Sequence, residues 1–167
     1  MEYHNLVIDF ANRTKKNLEF IEQYKDLPDC PVYEVTQLVN SLLGLLVFPR
    51  EHFIDHIPKT PLSDLIRNGW PDIKVLQGYP PCDNLHDLVR LLRNGIAHFN
   101  IEFSTNGSLD ITGIRLWNDY RGKKTWESHL SISDLKLITD KFIGLINEID
   151  RKQVLDGQQK HNSINNG

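Results

Sequence analysis

The sequence predicts a mainly α protein: a four-helix up-and-down bundle with a small antiparallel β-meander inserted between helices three and four. Three observations predict it. Four stretches repeat apolar residues at the 3.6-residue period of an amphipathic helix. Residues 100–131 switch to alternating polar and apolar residues, punctuated by Asn106-Gly107 and Arg121-Gly122, the texture of tightly turned strands. The 167 residues, 40% hydrophobic and 25% charged, suffice for one domain with a proper core.

The first helix covers roughly Asn5 to Tyr24, with Val7, Ala11, Leu18 and Ile21 on one stripe and Arg13, Lys15, Lys16 and Glu19 off it. Pro28 and Pro31 close it. The second covers roughly Val32 to Phe48. Val35, Leu38, Val39, Leu42, Leu43 and Leu46 form a wide apolar face, which Leu45 and Val47 extend, and Pro49 ends it. Residues 49–83 hold six of the eight prolines and read as loop-rich. One short helix fits there, with Thr60 as N-cap, Pro61 in the first turn and Gly69 after the end. A loop that long inside a domain is often a lid or binding element. The third helix starts near Asp83 or Asn84 and runs to about Phe99. Strands follow over Asn100–Phe103, Ser108–Trp117 and Lys124–Ser131. The fourth helix runs from a Ser131–Asp134 cap to about Arg151, its stripe made of Leu135, Ile138, Phe142, Leu145, Ile146 and Ile149. The domain is thus expected to span residues 1–152. The polar, Asn/Gln-rich tail 153–167 is expected to be disordered.

A net charge of −3 excludes a generally basic nucleic-acid binder, so any action on RNA requires a local basic patch. Cys30 and Cys82, each beside proline, make neither a zinc site nor a disulfide framework. With no signal-peptide pattern, and with an apolar run from Leu42 to Phe48 too short to span a bilayer, a cytoplasmic protein without membrane contact is expected.

The third helix carries the chemistry. On a wheel of 100° per residue, Asp83, His86, Asp87, Arg90, Arg93, Asn94, Ala97 and His98 fall on one polar arc, opposite Leu85, Leu88, Val89, Leu91, Leu92 and Ile96. The guanidinium of Arg93 is a planar fork suited to phosphate oxygens. His98 exchanges a proton near neutral pH. Asn94, four residues before His98, is spaced to orient the imidazole or a substrate oxygen. Gly95 points to the core side, as the close approach of another helix would require. Arg50-x5-His56 offers a similar Arg–His spacing, one residue longer, in the proline-bounded segment, without the helix context.

The blocks Leu42-Leu43-Gly44-Leu45-Leu46-Val47-Phe48-Pro49-Arg50-Glu51 and Leu92-Arg93-Asn94-Gly95-Ile96-Ala97-His98-Phe99-Asn100 are similar to small plasmid- and phage-defence-associated prokaryotic proteins of the HEPN superfamily. The resemblance covers roughly residues 1–152. It implies a metal-independent endoribonuclease with no cofactor, often a toxin or defence effector. The implied active species is a homodimer in which one protomer's arginine serves beside the other's histidine, and the family's catalytic motif maps onto Arg93, Asn94 and His98. RNA is the implied substrate, and an antitoxin or regulatory protein a further partner. HEPN toxins silenced by nucleotidylation carry a tyrosine two residues after the motif histidine. Asn100 stands there in this chain, which speaks against that form of control.

Arg90 and the hairpin cations Arg121, Lys123 and Lys124 are candidate substrate-binding residues. The hairpin also carries Arg115 and alternates its cations with Trp117, Tyr120 and Trp126, a combination that grips and stacks on single-stranded RNA. The competing reading is a twisted ribbon whose aromatics pack on the helices. His52 and His56, beside Glu51 and Asp55, have the i, i+4 spacing of two metal ligands but no third. Ser63 and Asp64 near His56 form no nucleophile motif. Two other functions fit the same helix face. One is a non-catalytic module binding a nucleotide, RNA or protein. The other is an accessory immunity or regulatory protein whose dimer buries that face.

Overall fold

A computed structural model describes residues 6–29, 32–47, 51–107 and 110–165; its description excludes the side chains of residues 51, 52, 153, 154 and 156–165. The elements run α1 (Leu6–Tyr24), α2 (Glu34–Val47), α3 (Glu51–Ile54), α4 (Leu62–Arg67), α5 (Leu85–Ala97), β1 (Ile101–Thr105), β2 (Ile111–Tyr120), β3 (Lys123–Ser131) and α6 (Ile132–Asn165).

The expected up-and-down bundle of four helices with an inserted meander is not what the chain builds. Among the described residues there are six helical segments, and the sheet lies between α5 and α6. The segment 49–83 contributes two of those helices, α3 and α4, before the motif helix begins. The sheet is also a layer of the core rather than an appendage. Its inner face buries Ile114, Leu116, Trp126 and Leu130 in one cluster with Leu42, Leu45, Leu92, Leu135 and Phe142. Burial of each such side chain is worth about 1.5–3 kcal/mol, so the sheet helps to hold the helices together. Helices α1, α2 and α6 pack on one another, α5 lies between α2 and β2, and α6 also touches β2 and β3. Helix α6 continues past the expected end at Arg151, and past the expected start of a disordered tail at 153, as far as Asn165.

Local chemistry sets the element ends. Ser131 and Asp134 form a capping box: the Asp134 N–H donates to Ser131 Oγ at 3.1 Å and the Ser131 N–H to Asp134 Oδ2 at 2.9 Å. Thr60 does not cap α4; Pro61 holds that position and no side chain caps the helix. The backbone of Thr60 is used elsewhere, its carbonyl accepting from the Leu85 N–H at 2.9 Å, while the Leu62 N–H donates to Asp83 O at 3.2 Å. These bonds pin the start of α5 beside the start of α4.

The sheet order is β1-β2-β3, antiparallel throughout, with Ile101 opposite Leu116 and Trp117 opposite Glu127. Arg121 and Gly122 both have positive φ, 52° and 76°, the two-residue turn that matches strand twist. The free edge of β3 is covered by residues from the loop-like segment. The Leu76 N–H donates to Glu127 O at 2.8 Å and Ser128 Oγ to Lys74 O at 2.9 Å. Ser108, where the second strand is expected to start, lies outside the described residues.

Candidate functional site

Helix α5 is positioned from three sides. Leu85, Leu88, Val89, Leu92 and Ile96 are buried. At its start, Asn84 Oδ1 accepts from the Asp87 N–H at 3.0 Å and Asn84 Nδ2 donates to Asp87 Oδ2 at 2.7 Å. At its end, strand β2 lies against Gly95, and buried Asn118 donates through Nδ2 to Leu91 O at 2.8 Å. The close neighbour of Gly95 is therefore a strand, not the expected helix.

The outward stripe of α5 opens on a pocket of about 400 Å³ lined by His86, Arg90, Arg93 and Asn94, with Ile54 and Asp55 from the end of α3 and the turn after it. The four α5 residues are spaced i, i+4, i+7 and i+8, so one helix face presents them together. His86 Nδ1 lies 3.1 Å from Asp87 Oδ1. That bond is the main reason the Asp87 carboxyl is held below its usual range; the Asn84 amide adds to it against the opposing effect of burial.

His98 stands apart from this pocket. It is the C-cap of α5, exposed, and its ring makes no hydrogen bond with a described residue. Five helical residues rotate by about 140° beyond a full turn, so Arg93 and His98 of one chain face different sides. No side-chain hydrogen bond joins Asn94 to His98 among the described residues; the link is the His98 N–H donating to Asn94 O at 3.1 Å. The helix then stops in a Schellman motif: the Phe99 N–H donates to Ile96 O at 3.0 Å and the Asn100 N–H to Gly95 O at 2.8 Å. Phe99 takes the left-handed position usually given to glycine, with φ 57°, and is 87% exposed.

The hairpin residues divide. Arg121 lies over the Tyr120 ring at 5.2 Å, and Arg121 and Lys123 are exposed at the tip. Lys124 is committed within the sheet: its Nζ donates to Glu127 Oε2 at 3.0 Å and sits 4.5 Å from the Trp117 ring centre. Glu127 is only 3% exposed. Burial pushes its carboxyl up, but hydrogen bonds from Arg115 and Lys124 outweigh that and leave it below its usual range. Trp126 packs into the core at 2% exposure, as the ribbon reading requires. The hairpin meets the motif helix through Asn118, and Asn100 Nδ2 donates to Asp119 Oδ2 at 3.2 Å. No described contact brings Arg121, Lys123 or Lys124 to Arg93 or His98.

His86 lies on the polar arc of the sequence but gains a role only from the pocket. Its signal is the carboxylate beside it and its i−4 spacing from Arg90. A second pairing escapes the sequence altogether: Ser104 Oγ and His129 Nε2 are 3.0 Å apart on the outer sheet face, where Gly113 leaves room for the imidazole. Among the rival sites, Cys30, Arg50 and the side chain of His52 lie outside the described residues. No group of three or more His, Cys, Asp or Glu among the described residues is placed to hold a metal ion. Cys82 is buried, and that burial raises its thiol pKa. No described helix is long and apolar enough to cross a membrane.

No curated protein and no solved structure matches this chain. Residues 1–153 match the family described as HEPN pEK499 p136, and with that extent of its length matched the chain belongs to this family of the HEPN superfamily.

Proposed function

We propose that the protein is a metal-independent endoribonuclease of HEPN type, acting as a homodimer in a toxin or phage-defence role. The observation that carries the reading is the division of the polar face of α5. Arg93, Arg90 and Asn94 line a pocket large enough for a phosphodiester, while His98 is exposed at the helix end, outside that lining and about 140° around the helix from Arg93. A two-fold pairing of α5 ends supplies the missing half: His98 of one protomer reaches the phosphate held by Arg93 of the other. The reaction is attack of a ribose 2′-OH on the adjacent phosphate, with His98 in proton transfer and Arg93 offsetting the charge that builds on phosphorus oxygens. Arg121 and Lys123 at the hairpin tip are further RNA contacts. An antitoxin or regulatory protein acts by covering the same helix face.

The test uses a mixed cellular RNA pool with EDTA present. Wild type should cleave it and leave 2′,3′-cyclic phosphate ends, whereas Arg93→Ala and His98→Ala should not, although both stay folded and dimeric. Refolding the two variants together should restore about a quarter of wild-type activity, because half the dimers then hold one intact composite site. No cleavage by a folded, dimeric wild type would instead favour a binding module that keeps a nucleotide, RNA or protein in this pocket.

A further inference from the structure

Transesterification of RNA moves two protons: the 2′-oxygen loses one and the departing 5′-oxygen gains one. His98 accounts for only one of these transfers. We infer that His86 makes the other, as the general acid that protonates the 5′-oxygen, and that Asp87 is the positioning residue that aims it. The inference rests on the ribonuclease reading above.

The geometry is specific to His86. Its side chain is 17% exposed and lines the same pocket as Arg90, Arg93 and Asn94. Nδ1 is taken by Asp87 Oδ1 at 3.1 Å, whereas Nε2 makes no hydrogen bond with a described residue. Asp87 is itself immobilised. Its second oxygen accepts from Asn84 Nδ2 at 2.7 Å, and its own N–H donates back to Asn84 Oδ1 at 3.0 Å. The helix cap thus fixes the carboxylate, the carboxylate fixes the imidazole, and the imidazole borders the phosphate pocket. A carboxylate on Nδ1 fixes the tautomer and the orientation of the ring, as it does for histidines in other acid–base sites.

The charged groups around this ring are Asp87, Arg90 and Arg93 of α5, Asp55 after α3, and Lys59, whose charge acts on Asp87. An RNA phosphate seated in the pocket meets the two arginines and the His86 ring together.

The step then balances. Neutral His98 of the partner protomer takes the 2′-hydroxyl proton as the O2′–P bond forms. The P–O5′ bond breaks, and the 5′-oxygen takes the proton from His86 Nε2. The products are a 2′,3′-cyclic phosphate and a 5′-hydroxyl. His98 leaves charged and His86 neutral, and exchange with water resets both.

The test compares an ordinary RNA with one whose scissile 5′-oxygen is replaced by sulfur, since a thiolate departs without needing a proton. On ordinary RNA, His86→Ala should cleave about 10²–10⁴-fold more slowly than wild type. On the sulfur substrate it should come close to the wild-type rate, whereas His98→Ala should stay slow on both. Asp87→Asn should lose part of the rate on ordinary RNA, shift the alkaline limb of the pH–rate profile, and be rescued by sulfur in the same way. His86→Gln keeps most of the side-chain volume and serves if His86→Ala does not fold. Wild-type rates in the His86 variants, or a loss that sulfur does not rescue, overturn the inference and leave the ribonuclease reading intact. A wild type that cleaves neither substrate overturns both.

Discussion

Gly95 of α5 lies directly on the backbone of Trp117 in β2. A Cβ at this position would stand 3.0 Å from the Trp117 carbonyl oxygen and 3.1 Å from Leu116 Cδ1. A mid-helix glycine costs about 1 kcal/mol against alanine, so propensity alone favours Gly95→Ala. Overpacking against a strand that cannot easily move typically costs about 1–3 kcal/mol, and it should win. The expected outcome is a net destabilisation of about 1 kcal/mol, read from denaturant unfolding, and, on the proposed ribonuclease reading, weaker RNA cleavage as α5 is levered away from β2. A more stable Gly95→Ala protein would show that the strand gives way and that this contact does not set the position of the helix.

Phe99 combines two unfavourable features beside His98, a left-handed backbone and 87% exposure. A left-handed conformation costs a non-glycine residue about 1–2 kcal/mol, and little packing offsets that cost within one chain. Phe99→Gly should therefore stabilise the isolated protomer by about 0.5–1 kcal/mol after the entropy that glycine loses on folding. Thermal unfolding at low protein concentration measures this. If the exposed ring serves the paired site, the same variant should lose dimerisation or cleavage as it gains stability. A lower melting temperature would place Phe99 in a contact within its own protomer.

Much of this was legible in the sequence. The period of the apolar residues predicts α1, α2, α5 and α6, and the alternation predicts the three strands. What misled was the segment 49–83. Its prolines predict the one short helix that becomes α4, between Pro61 and Gly69, but hide α3 and the sheet-edge residues 74–76, which also come from it. The sheet looked like an insertion because the mixed polarity of its strands does not reveal that Ile114, Leu116, Trp126 and Leu130 meet the helical core. At the site, the wheel placed His86, Arg90, Arg93 and Asn94 on one face, as the pocket requires. It could not supply Ile54 and Asp55, which reach that pocket only through tertiary packing. Lys124 is the opposite case. Its charge suggested substrate, but the buried carboxylate of Glu127 lies within reach and holds it.

The tip of α1 is joined to α2 and α6 by a ring of charges, and that ring predicts a pH response. Lys25 Nζ lies 2.9 Å from Glu22 and 3.3 Å from Glu34, while Lys136 pairs with Glu34 and lies 3.4 Å from Glu22. Glu22 is lowered to about 2, chiefly by the Lys25 hydrogen bond. Its contribution is present above its ordinary value of 4.5 and is lost as pH falls from there towards 2. Lys25, through Glu22 first, and Lys136, through Glu34 first, are raised above 10.5, so their contribution is present below that value and is lost above it. Lys136→Gln should lower the melting temperature slightly between these limits, and the difference from wild type should shrink below pH 3 and in high salt. A difference that stays constant across pH would mean that Lys136 acts through packing of its stem alone.

The hairpin cations should separate into binding and structural groups. Arg121 and Lys123 are exposed at the turn, whereas Lys124 is engaged with Glu127 and Trp117. If the tip holds single-stranded RNA, each phosphate contact contributes about 0.7 to the slope of log affinity against log salt. Removing both tip cations in Arg121→Ala/Lys123→Ala should reduce that slope by about 1.4 while leaving the melting temperature unchanged. Lys124→Ala should do the reverse, because it withdraws a charged donor from a buried carboxylate. Filter binding of a 2′-O-methyl RNA across a salt series, with thermal unfolding in parallel, reads both effects. An unchanged slope in the double variant would remove the hairpin from the substrate path and confine recognition to the face of α5.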